Sequence, residues 1–255
     1  MKTYLSVVIP CYNEKKNLER GVLEEVEDFL SKKKLGFEVL ISDDGSTDGS
    51  REEVKRRIAG KENFKLLENP HGGKPSALFY GLKKAQGEMV LFTDMDQSTP
   101  IAEVDKLLPY FENGYSVVIG SRGMGRKNFP LYRQIGSFVF RSFRQIFLLH
   151  SLGDTQCGFK AFKTEVVRDV FSKLSFFDKT EAVSGWRVTS YDVELLFLLS
   201  KKGYKIAEVP VTWADRDVAK GKGGHPLKKY FKESKEMLLE VIRIKMNDLR
   251  GGYDS

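Results

Sequence analysis

The apolar run Val90-Leu91-Phe92-Thr93-Asp94-Met95-Asp96 ends in two aspartates that are one residue apart. The run is typical of a short buried strand. A strand that delivers two carboxylates to its C-terminal tip can hold a hard divalent cation against phosphate oxygens. Two acidic residues at this spacing also occur by chance in solvated turns, so the neighbouring segments must decide between the two interpretations.

Strand-like and helix-like segments alternate on both sides of this run. Residues 5–10 and 37–42 are predicted to be buried parallel strands. Residues 17–34 between them carry apolar side chains at helical spacing. Further predicted elements are helix 48–58, strand 64–68, helix 74–85, helix 101–111, strand 116–121 and a short strand at 209–213. This alternation predicts an α/β fold around a mostly parallel sheet.

Length and composition favour one domain. A chain of 255 residues with 41% hydrophobic content can bury one large core, and no Pro-, Gly- or Ser-rich linker divides it. Cys11 and Cys157 are too few for a disulfide framework and do not match a zinc site, so we predict reduced intracellular thiols. No apolar run reaches the roughly 18 residues that cross a bilayer, and no signal segment precedes the first strand. We therefore expect a protein that does not span a membrane.

Basic residues concentrate in two predicted amphipathic helices. The net charge is +7, which is compatible with phosphorylated ligands, anionic lipid or nucleic acid. In segment 129–150, a basic stripe lies beside an apolar stripe; the two consist of Arg133, Ser137, Arg141 and Arg144, and of Ile135, Phe138, Val139 and Ile146. This pattern predicts a helix at a membrane surface, with an ordinary surface helix packed on the sheet as the alternative. Segment 226–249 is the second membrane candidate. Nucleic acid is not an expected partner, because acids alternate with bases elsewhere.

Four motifs follow one another along the chain: Ser6-Val7-Val8-Ile9-Pro10-Cys11-Tyr12-Asn13-Glu14, Ser42-Asp43-Asp44-Gly45-Ser46-Thr47-Asp48-Gly49-Ser50, Asn69-Pro70-His71-Gly72-Gly73-Lys74 and Asp94-Met95-Asp96. Together they closely resemble the inverting family 2 glycosyltransferases, over about residues 5–213. Segments 120–122, 154–160 and 191–196 look most like dolichyl-phosphate β-glucosyltransferases, whose sister enzymes are the dolichyl-phosphate mannosyltransferases.

The resemblance implies the Rossmann-like, A-type glycosyltransferase fold, with a mostly parallel central sheet and helices on both faces. It implies a catalytic domain at 1–225, with the 129–150 helix inside it. A C-terminal amphipathic helix and tail are expected at 226–255.

The ends of the first two predicted strands are expected to bind a nucleotide. Pro10, Tyr12 and Glu14 lie at the C-terminal edge of the sheet, where open α/β sheets bind ligands, and can wall a base and a ribose. Asp43 and Asp44 can accept hydrogen bonds from a uracil N–H or a ribose hydroxyl. By the resemblance, base recognition is the preferred role of Asp44.

Phosphates and a metal ion are expected beside the nucleotide. Lys74 follows two glycines at a helix start, so its ammonium can meet a diphosphate or sugar hydroxyls; a solvated turn is the alternative. The resemblance makes Asp96 the main ligand of Mg²⁺ or Mn²⁺. It places Asp94 near ribose, metal-bound water or sugar, with Gln97 as a further metal ligand. Arg216 resembles a residue of a loop that closes over the donor phosphates, with a solvated loop as the alternative.

The expected acceptor is a lipid monophosphate. Arg122, Arg133 and Ser137 match the family positions for the acceptor phosphate, and paired cations suit a phosphate at a water–lipid boundary. A phosphate monoester has a second pKa near ~6, so it is largely a dianion at neutral pH and can attack without a strong base. A sugar-hydroxyl acceptor would require a base. Asp154 and Asp192 are the candidates, although each also has a structural interpretation.

The resemblance thus implies metal-dependent transfer of glucose from UDP-glucose to dolichyl or polyprenyl phosphate with inversion. The enzyme is expected to be cytoplasmic and peripheral on the cytoplasmic face of a membrane. One alternative is a dolichyl-phosphate mannosyltransferase that uses GDP-mannose. Others are a family 2 enzyme with a glycan or other soluble acceptor, and a non-enzymatic module that binds nucleotides or anionic lipids.

Overall fold

The computed structural model describes residues 2–123, 131–178, 191–219 and 226–254; the side chains of 131–135, 137–139 and 226–233 lie outside that description. Within these residues, seven strands form one sheet: β1 Thr3–Cys11, β2 Gly36–Asp43, β3 Phe64–Glu68, β4 Met89–Phe92, β5 Val117–Ser121, β6 Lys160–Lys163 and β7 Ile206–Pro210. Their order is β3-β2-β1-β4-β6-β5-β7. Only β6 runs antiparallel to its described neighbours, β4 and β5. The predicted, mostly parallel sheet is confirmed.

Helices cover both faces of the sheet. They are α1 Lys15–Glu19, α2 Val22–Leu30, α3 Ser50–Ile58, α4 Lys74–Lys84, α5 Val104–Leu107, α6 Pro109–Glu112, α7 Leu131–Phe147, α8 Thr164–Phe171, α9 Tyr191–Lys201 and α10 Pro226–Leu249. Successive strand residues point to opposite faces, so Val7 packs in one apolar core with α1, α2 and α3, and Val8 packs in the other with α4, α8 and α9. This layered arrangement is the predicted α/β fold.

Several predicted elements differ in detail from the structure. The predicted helix 17–34 is two helices, because Gly21 adopts a left-handed conformation with φ of 88°. The predicted helix 101–111 is broken before Pro109, which opens α6. The strand predicted over 209–213 lies at Ile206–Pro210. Strand β6 was not predicted, because it has only four residues and both its first and its last residue are lysine.

Helix α7 corrects one part of the predicted membrane-facing stripe. Arg144 is only 2% exposed. Its Nη2 donates to the carbonyls of Leu152 and Gly153 at 2.8 Å each, and burial lowers its pKa to about 10. Placing Arg144 on the exposed basic stripe was therefore wrong, since helical spacing alone does not show which stripe turns inward. Phe140 packs in the core, whereas Ile146 is 65% exposed.

The C-terminal helix is anchored by a buried carboxylate. Glu194 of α9 accepts hydrogen bonds from the Ser175 hydroxyl at 2.9 Å, from Arg243 of α10 at 3.2 Å and from the Tyr253 hydroxyl at 2.5 Å. Helix α10 also packs against α7, and its Val241 is fully buried. The division into parts at 225/226 lies beside residues outside the description, so it stays a prediction.

Replacing Glu194 by alanine is expected to destabilise the fold by about 3 kcal/mol, because the buried partners lose their shared acceptor. Urea unfolding measures the change. The control is Asp169→Asn, which breaks an ion pair with Lys202 in which the Asp169 side chain is 48% exposed, and should cost less than about 1 kcal/mol. Equal stability losses in the two variants would contradict the anchoring role of Glu194.

Candidate active site

Functional side chains meet at one edge of the sheet. The parallel strands β1, β2, β4 and β5 end at this edge. Strand β6 begins there because it runs the opposite way, and its first residue, Lys160, lies opposite Phe92 of β4 and Ile119 of β5. The topology thus brings the turns after four strands together with the residues that precede β6.

Asp94 and Lys74 form an ion pair at the end of β4. Lys74 Nζ lies 2.5 Å from Asp94 Oδ1. Burial alone would lower the pKa of Lys74, but the charges of Asp94 and Asp192 raise it overall. Burial opposes ionisation of Asp94, whereas Lys74, Lys160 and Arg122 lower its pKa. Asp94 is thus a carboxylate held by cations on several sides.

The turn after β4 positions Asp96. Its Oδ1 accepts from the Ser98 amide at 2.8 Å, and its Oδ2 accepts from the Ser98 hydroxyl at 2.8 Å. Gln97 adopts φ of 49° and is turned inward, where Nε2 donates to the Asp94 carbonyl at 3.0 Å. The buried Gln97 Oε1 accepts no hydrogen bond from the described residues. Whether Gln97 binds a metal stays a prediction.

Negative charge accumulates around this turn. Burial raises the pKa of Glu14 to about 7; the Asn17 hydrogen bond opposes this, and Asp217, Asp96 and Asp94 add to it. Burial also raises the pKa of Asp96, with contributions from Asp94 and Asp217. We call Glu14, Asp94, Asp96 and Asp217 the acidic pocket. A cation in the pocket would relieve the repulsion between these carboxylates.

The donor set fits a hard divalent ion. No group of three or more His, Cys, Asp or Glu with metal-binding geometry occurs in the described parts of the chain. Mg²⁺ and similar ions are commonly held by one or two protein carboxylates, with substrate phosphates and water supplying the remaining oxygens. Asp96, supported by Asp94, matches that type of site.

Asp44 organises the glycine turn before α4. Its Oδ1 accepts from the Gly72 amide at 2.8 Å and its Oδ2 from the Gly73 amide at 2.9 Å, while His71 Nδ1 lies 2.8 Å from Oδ2. The His71 ring stacks on Tyr12 with centroids 4.5 Å apart. Sequence reasoning missed the pairing of His71 with Asp44, although the histidine beside two glycines was visible in the motif. The role of Asp44 in base recognition stays a prediction.

Asp43 also forms hydrogen bonds within the protein. It is fully buried, and its Oδ2 accepts from the Gly45 amide at 3.0 Å and from Arg51 Nε at 2.5 Å. Pro10 is buried within β1, one residue before the strand ends. At this edge, Tyr12 and Glu14 are the partly exposed members of the predicted nucleotide wall.

Arg122 and Asp154 form a buried, two-bond ion pair. Arg122 Nε lies 2.7 Å from Oδ2 and Nη2 lies 2.8 Å from Oδ1, with side-chain exposures of 15% for Arg122 and 9% for Asp154. Burial opposes ionisation of Asp154, but Arg122 holds its pKa well below the ordinary value. The side chains of Arg133 and Ser137, the other predicted acceptor residues, lie outside the described residues.

Asp192 is paired with a lysine that sequence reasoning did not single out. Lys160 is only 1% exposed, and its Nζ lies 2.8 Å from Asp192 Oδ1. The Lys160 ammonium also contributes to the lowered pKa of Asp94. The available signal was the lysine that closes the motif at 154–160. Both candidate bases, Asp154 and Asp192, therefore form ion pairs with neighbouring cations.

The guanidinium of Arg216 forms its ion pair with Glu25 and not with a carboxylate of the acidic pocket. Its Nη2 and Nη1 contact the two carboxylate oxygens of Glu25 on α2 at 2.8 and 3.0 Å. Its backbone amide donates to the Ser98 hydroxyl at 3.3 Å. A phosphate contact would require Arg216 to exchange Glu25 for the ligand, so this contact stays a prediction.

Comparisons with known proteins agree with this geometry. The model of the family "Glycosyl transferase family 2" matches residues 6–171. The chain is 31% identical to the dolichyl-phosphate β-glucosyltransferase of Dictyostelium discoideum, over 97% of this chain and 76% of that protein. It is 31% identical to the enzyme of that name from Drosophila melanogaster, over 85% of this chain and 68% of the relative.

A solved structure shows the same fold. Glucosyl-3-phosphoglycerate synthase from Mycobacterium tuberculosis, in complex with Mn²⁺, UDP and glucosyl-3-phosphoglycerate, superposes with a TM-score of 0.62. The two chains are 18% identical, and the match covers 95% of this chain and 80% of that one. The fold is therefore the predicted A-type glycosyltransferase fold. With an acidic pocket at the end of β4 and a family model that matches well over half of its length, this chain is a glycosyltransferase and belongs to glycosyltransferase family 2.

Proposed function

We propose that the protein transfers glucose from UDP-glucose to dolichyl or polyprenyl phosphate, with inversion and with Mg²⁺ or Mn²⁺. The observation that carries this proposal is that the two candidate bases are held in ion pairs. Asp154 and Asp192 are both paired with cations, Arg122 and Lys160. An acceptor that brings its own negative charge needs no base, whereas a sugar hydroxyl does. The names of the similar proteins point to the same acceptor.

The acidic pocket supports the donor half of the reaction. The pocket would hold a divalent ion, which would supply charge neutralisation for the departing diphosphate. Asp96 would hold the ion, and Lys74 keeps Asp94 ionised beside it. Tyr12 and Glu14 lie at the same edge and would contact the base and ribose. The predicted contacts of Asp44 and Arg216 with the donor require these side chains to leave or share their present partners.

Arg122 supports the acceptor half. Asp154 occupies Nε and Nη2 of its guanidinium, and Nη1 has no hydrogen-bond partner in the described part of the chain. Nη1 is therefore suited to a phosphate oxygen, with Arg133 and Ser137 as the further predicted contacts. A phosphate oxygen attacks the anomeric carbon as the bond to the UDP oxygen breaks, and an α-linked donor gives a β-linked glucosyl phosphate lipid. The proton balance needs no protein base, because the attacking oxygen is already ionised.

The test is nucleotide release by the purified protein with UDP-glucose or GDP-mannose, Mn²⁺ or Mg²⁺, and dolichyl phosphate in detergent. Each component is omitted in turn. Lipid-dependent UDP release with a β-glucosylated lipid product would establish the proposal. Lipid-dependent GDP release would move the donor to GDP-mannose. Release that is stimulated by a soluble glycan and not by the lipid would overturn the acceptor.

Exposed apolar side chains support contact with a membrane surface. On α10, four of them lie on one side of the helix: Leu239, Ile242, Met246 and Leu249. Phe147, at the end of α7, is also exposed, and α7 packs against α10. Among the described residues, no helix combines the length and apolar composition needed to cross a bilayer. We infer that these side chains enter the membrane interface on the cytoplasmic face, where anionic headgroups attract a basic protein.

Replacing Ile242 and Met246 by aspartate is expected to weaken binding to vesicles of phosphatidylcholine and phosphatidylserine roughly tenfold or more, because two charges replace apolar contacts. Vesicle flotation measures binding. The charge-matched control places aspartates at the exposed Ser31 and Asn113, which lie on the other side of the sheet. If both double variants bind vesicles equally, the α10 stripe is not the membrane contact.

Gly158 leaves room for the Asp94 carboxylate. A Cβ atom on Gly158 would lie 2.1 Å from Oδ2 and 2.7 Å from Cγ of Asp94, which is too close for both atoms. Gly158→Ala is therefore expected to displace Asp94 from Lys74 and to lower the rate of UDP release roughly tenfold to a hundredfold. The control is Gly114→Ala, where nothing lies within 4 Å but φ is 79°, so stability falls without an effect on the site. Wild-type turnover in Gly158→Ala would show that the position of Asp94 is not critical.

A further inference from the structure

A break between two helices places an arginine at the edge of the acidic pocket. Helix α1 ends at Glu19, and α2 begins at Val22 after the left-handed Gly21. Arg20, in the break, donates from Nη2 to the Asp96 carbonyl at 2.5 Å and from Nη1 to the Arg216 carbonyl at 2.7 Å. One guanidinium thus joins two segments that are 120 residues apart in sequence.

Other contacts hold the same two segments together. The Ala214 amide donates to the Ser98 carbonyl at 2.9 Å. The fully buried Asn17 donates to Asp217 at 2.9 Å and accepts from the Val218 amide at 3.1 Å. The 214–219 segment is therefore docked on the turn that carries Asp96 and on α1. Arg20 binds a backbone carbonyl of each of the two segments.

Within the described residues, the guanidinium of Arg20 forms no ion pair with a carboxylate. Its Nε is buried and has no hydrogen-bond acceptor in the described residues. Both of its bonds go to main-chain carbonyls, so they fix backbone position and leave the Asp96 carboxylate available. The planar guanidinium of arginine can hold two acceptors in a fixed relative position. The ammonium of lysine has no rigid arrangement of donors that could do so.

We propose that Arg20 is a positioning residue that locks the Asp96 turn to the 214–219 segment. The turn with the carboxylate that would bind the metal and the segment that carries Arg216 then keep one relative position. This role rests on the proposed function, because the donor and metal are those proposed above. Arg20 acts through these backbone segments, because both of its bonds go to main-chain carbonyls.

The experiment compares Arg20→Met and Arg20→Lys with Arg57→Met. Arg57 is a matched control because it is similarly enclosed and bonds Glu53 and Glu24 on the same side of the sheet, away from the acidic pocket. Hydrogen exchange of a peptide spanning 211–219 reports the docking of the segment. Mn²⁺ binding in the presence of UDP, followed by electron paramagnetic resonance of free Mn²⁺, reports the position of Asp96 without turnover. Thermal midpoints report stability.

Arg20→Met is expected to speed exchange in the 211–219 peptide and to weaken Mn²⁺–UDP binding, each roughly tenfold, with Arg20→Lys in between. Arg57→Met should lower the thermal midpoint and change neither readout. Wild-type exchange in Arg20→Met, or faster exchange with unchanged Mn²⁺–UDP affinity, would overturn the positioning role. Failure of the unaltered protein to bind Mn²⁺ with UDP would instead overturn the proposed donor and metal, and the exchange rates would still decide whether Arg20 docks the segment.

Discussion

Asp96→Asn is expected to lower metal-dependent release of UDP roughly a thousandfold or more while the protein stays folded. In the unaltered protein, the Ser98 amide donates to Asp96 Oδ1 at 2.8 Å. Asparagine keeps one oxygen that can accept this hydrogen bond. It removes the negative charge that would hold the divalent ion against the diphosphate. The substitution therefore separates the charge of Asp96 from its part in the turn. Steady-state UDP release at saturating UDP-glucose and dolichyl phosphate, titrated with Mn²⁺, measures the effect.

The control for this variant is Asp105→Asn, which removes an exposed carboxylate bound to Lys33 and should leave turnover unchanged. Circular dichroism and thermal unfolding of Asp96→Asn should match the unaltered protein closely. Turnover within about twofold of wild type, with the same Mn²⁺ dependence, would remove Asp96 from the metal site.

Arg122→Gln is expected to have two large effects. It strands the buried Asp154 carboxylate, which should cost about 3–5 kcal/mol of unfolding free energy. It also removes the cation proposed to bind the acceptor phosphate, so lipid-dependent transfer should fall by at least about a hundredfold. Because the two partners are 15% and 9% exposed, solvent screens this pair only weakly.

The double variant Arg122→Gln/Asp154→Asn separates the two effects. It removes both charges of this ion pair, so we expect most of the stability to return while lipid-dependent transfer stays low. Urea unfolding and the transfer assay measure the two quantities on the same samples. Recovery of transfer together with stability would show that Arg122 acts only as a structural partner of Asp154.

The same pair predicts a pH dependence of stability. The pKa of Asp154 is depressed in the folded protein, and the unfolded value is near ~3.9. The pair therefore contributes its full stability above about pH 4 and loses it as the pH falls toward the folded pKa. The difference between the unfolding free energies of the wild type and the double variant should therefore shrink as the pH falls below about 4. A difference that stays constant over this range would contradict the assigned pKa direction.

Several features could be predicted because they depend on local patterns. Apolar strands that alternate with amphipathic helices predicted the sheet, and the ends of β1, β2 and β4 identified one edge as the site. The position of Arg144 could not be predicted in this way, since periodicity describes two faces and does not say which one meets the protein. The break at Gly21 was missed because the apolar spacing continues across it.

The sequence by itself determined the α/β fold and the family, and it singled out Asp94, Asp96 and Arg122 as candidate site residues, because strand patterns and ordered motifs are local properties of the chain. Only the tertiary structure decided the partners of these residues: Lys74, Ser98 and Asp154. It also decided that Arg20 joins the Asp96 turn to the 214–219 segment. The reason is physical, because the charge and pKa of a buried group depend on its neighbours in space. In a sheet whose strand order differs from the sequence order, these neighbours are often far apart in sequence.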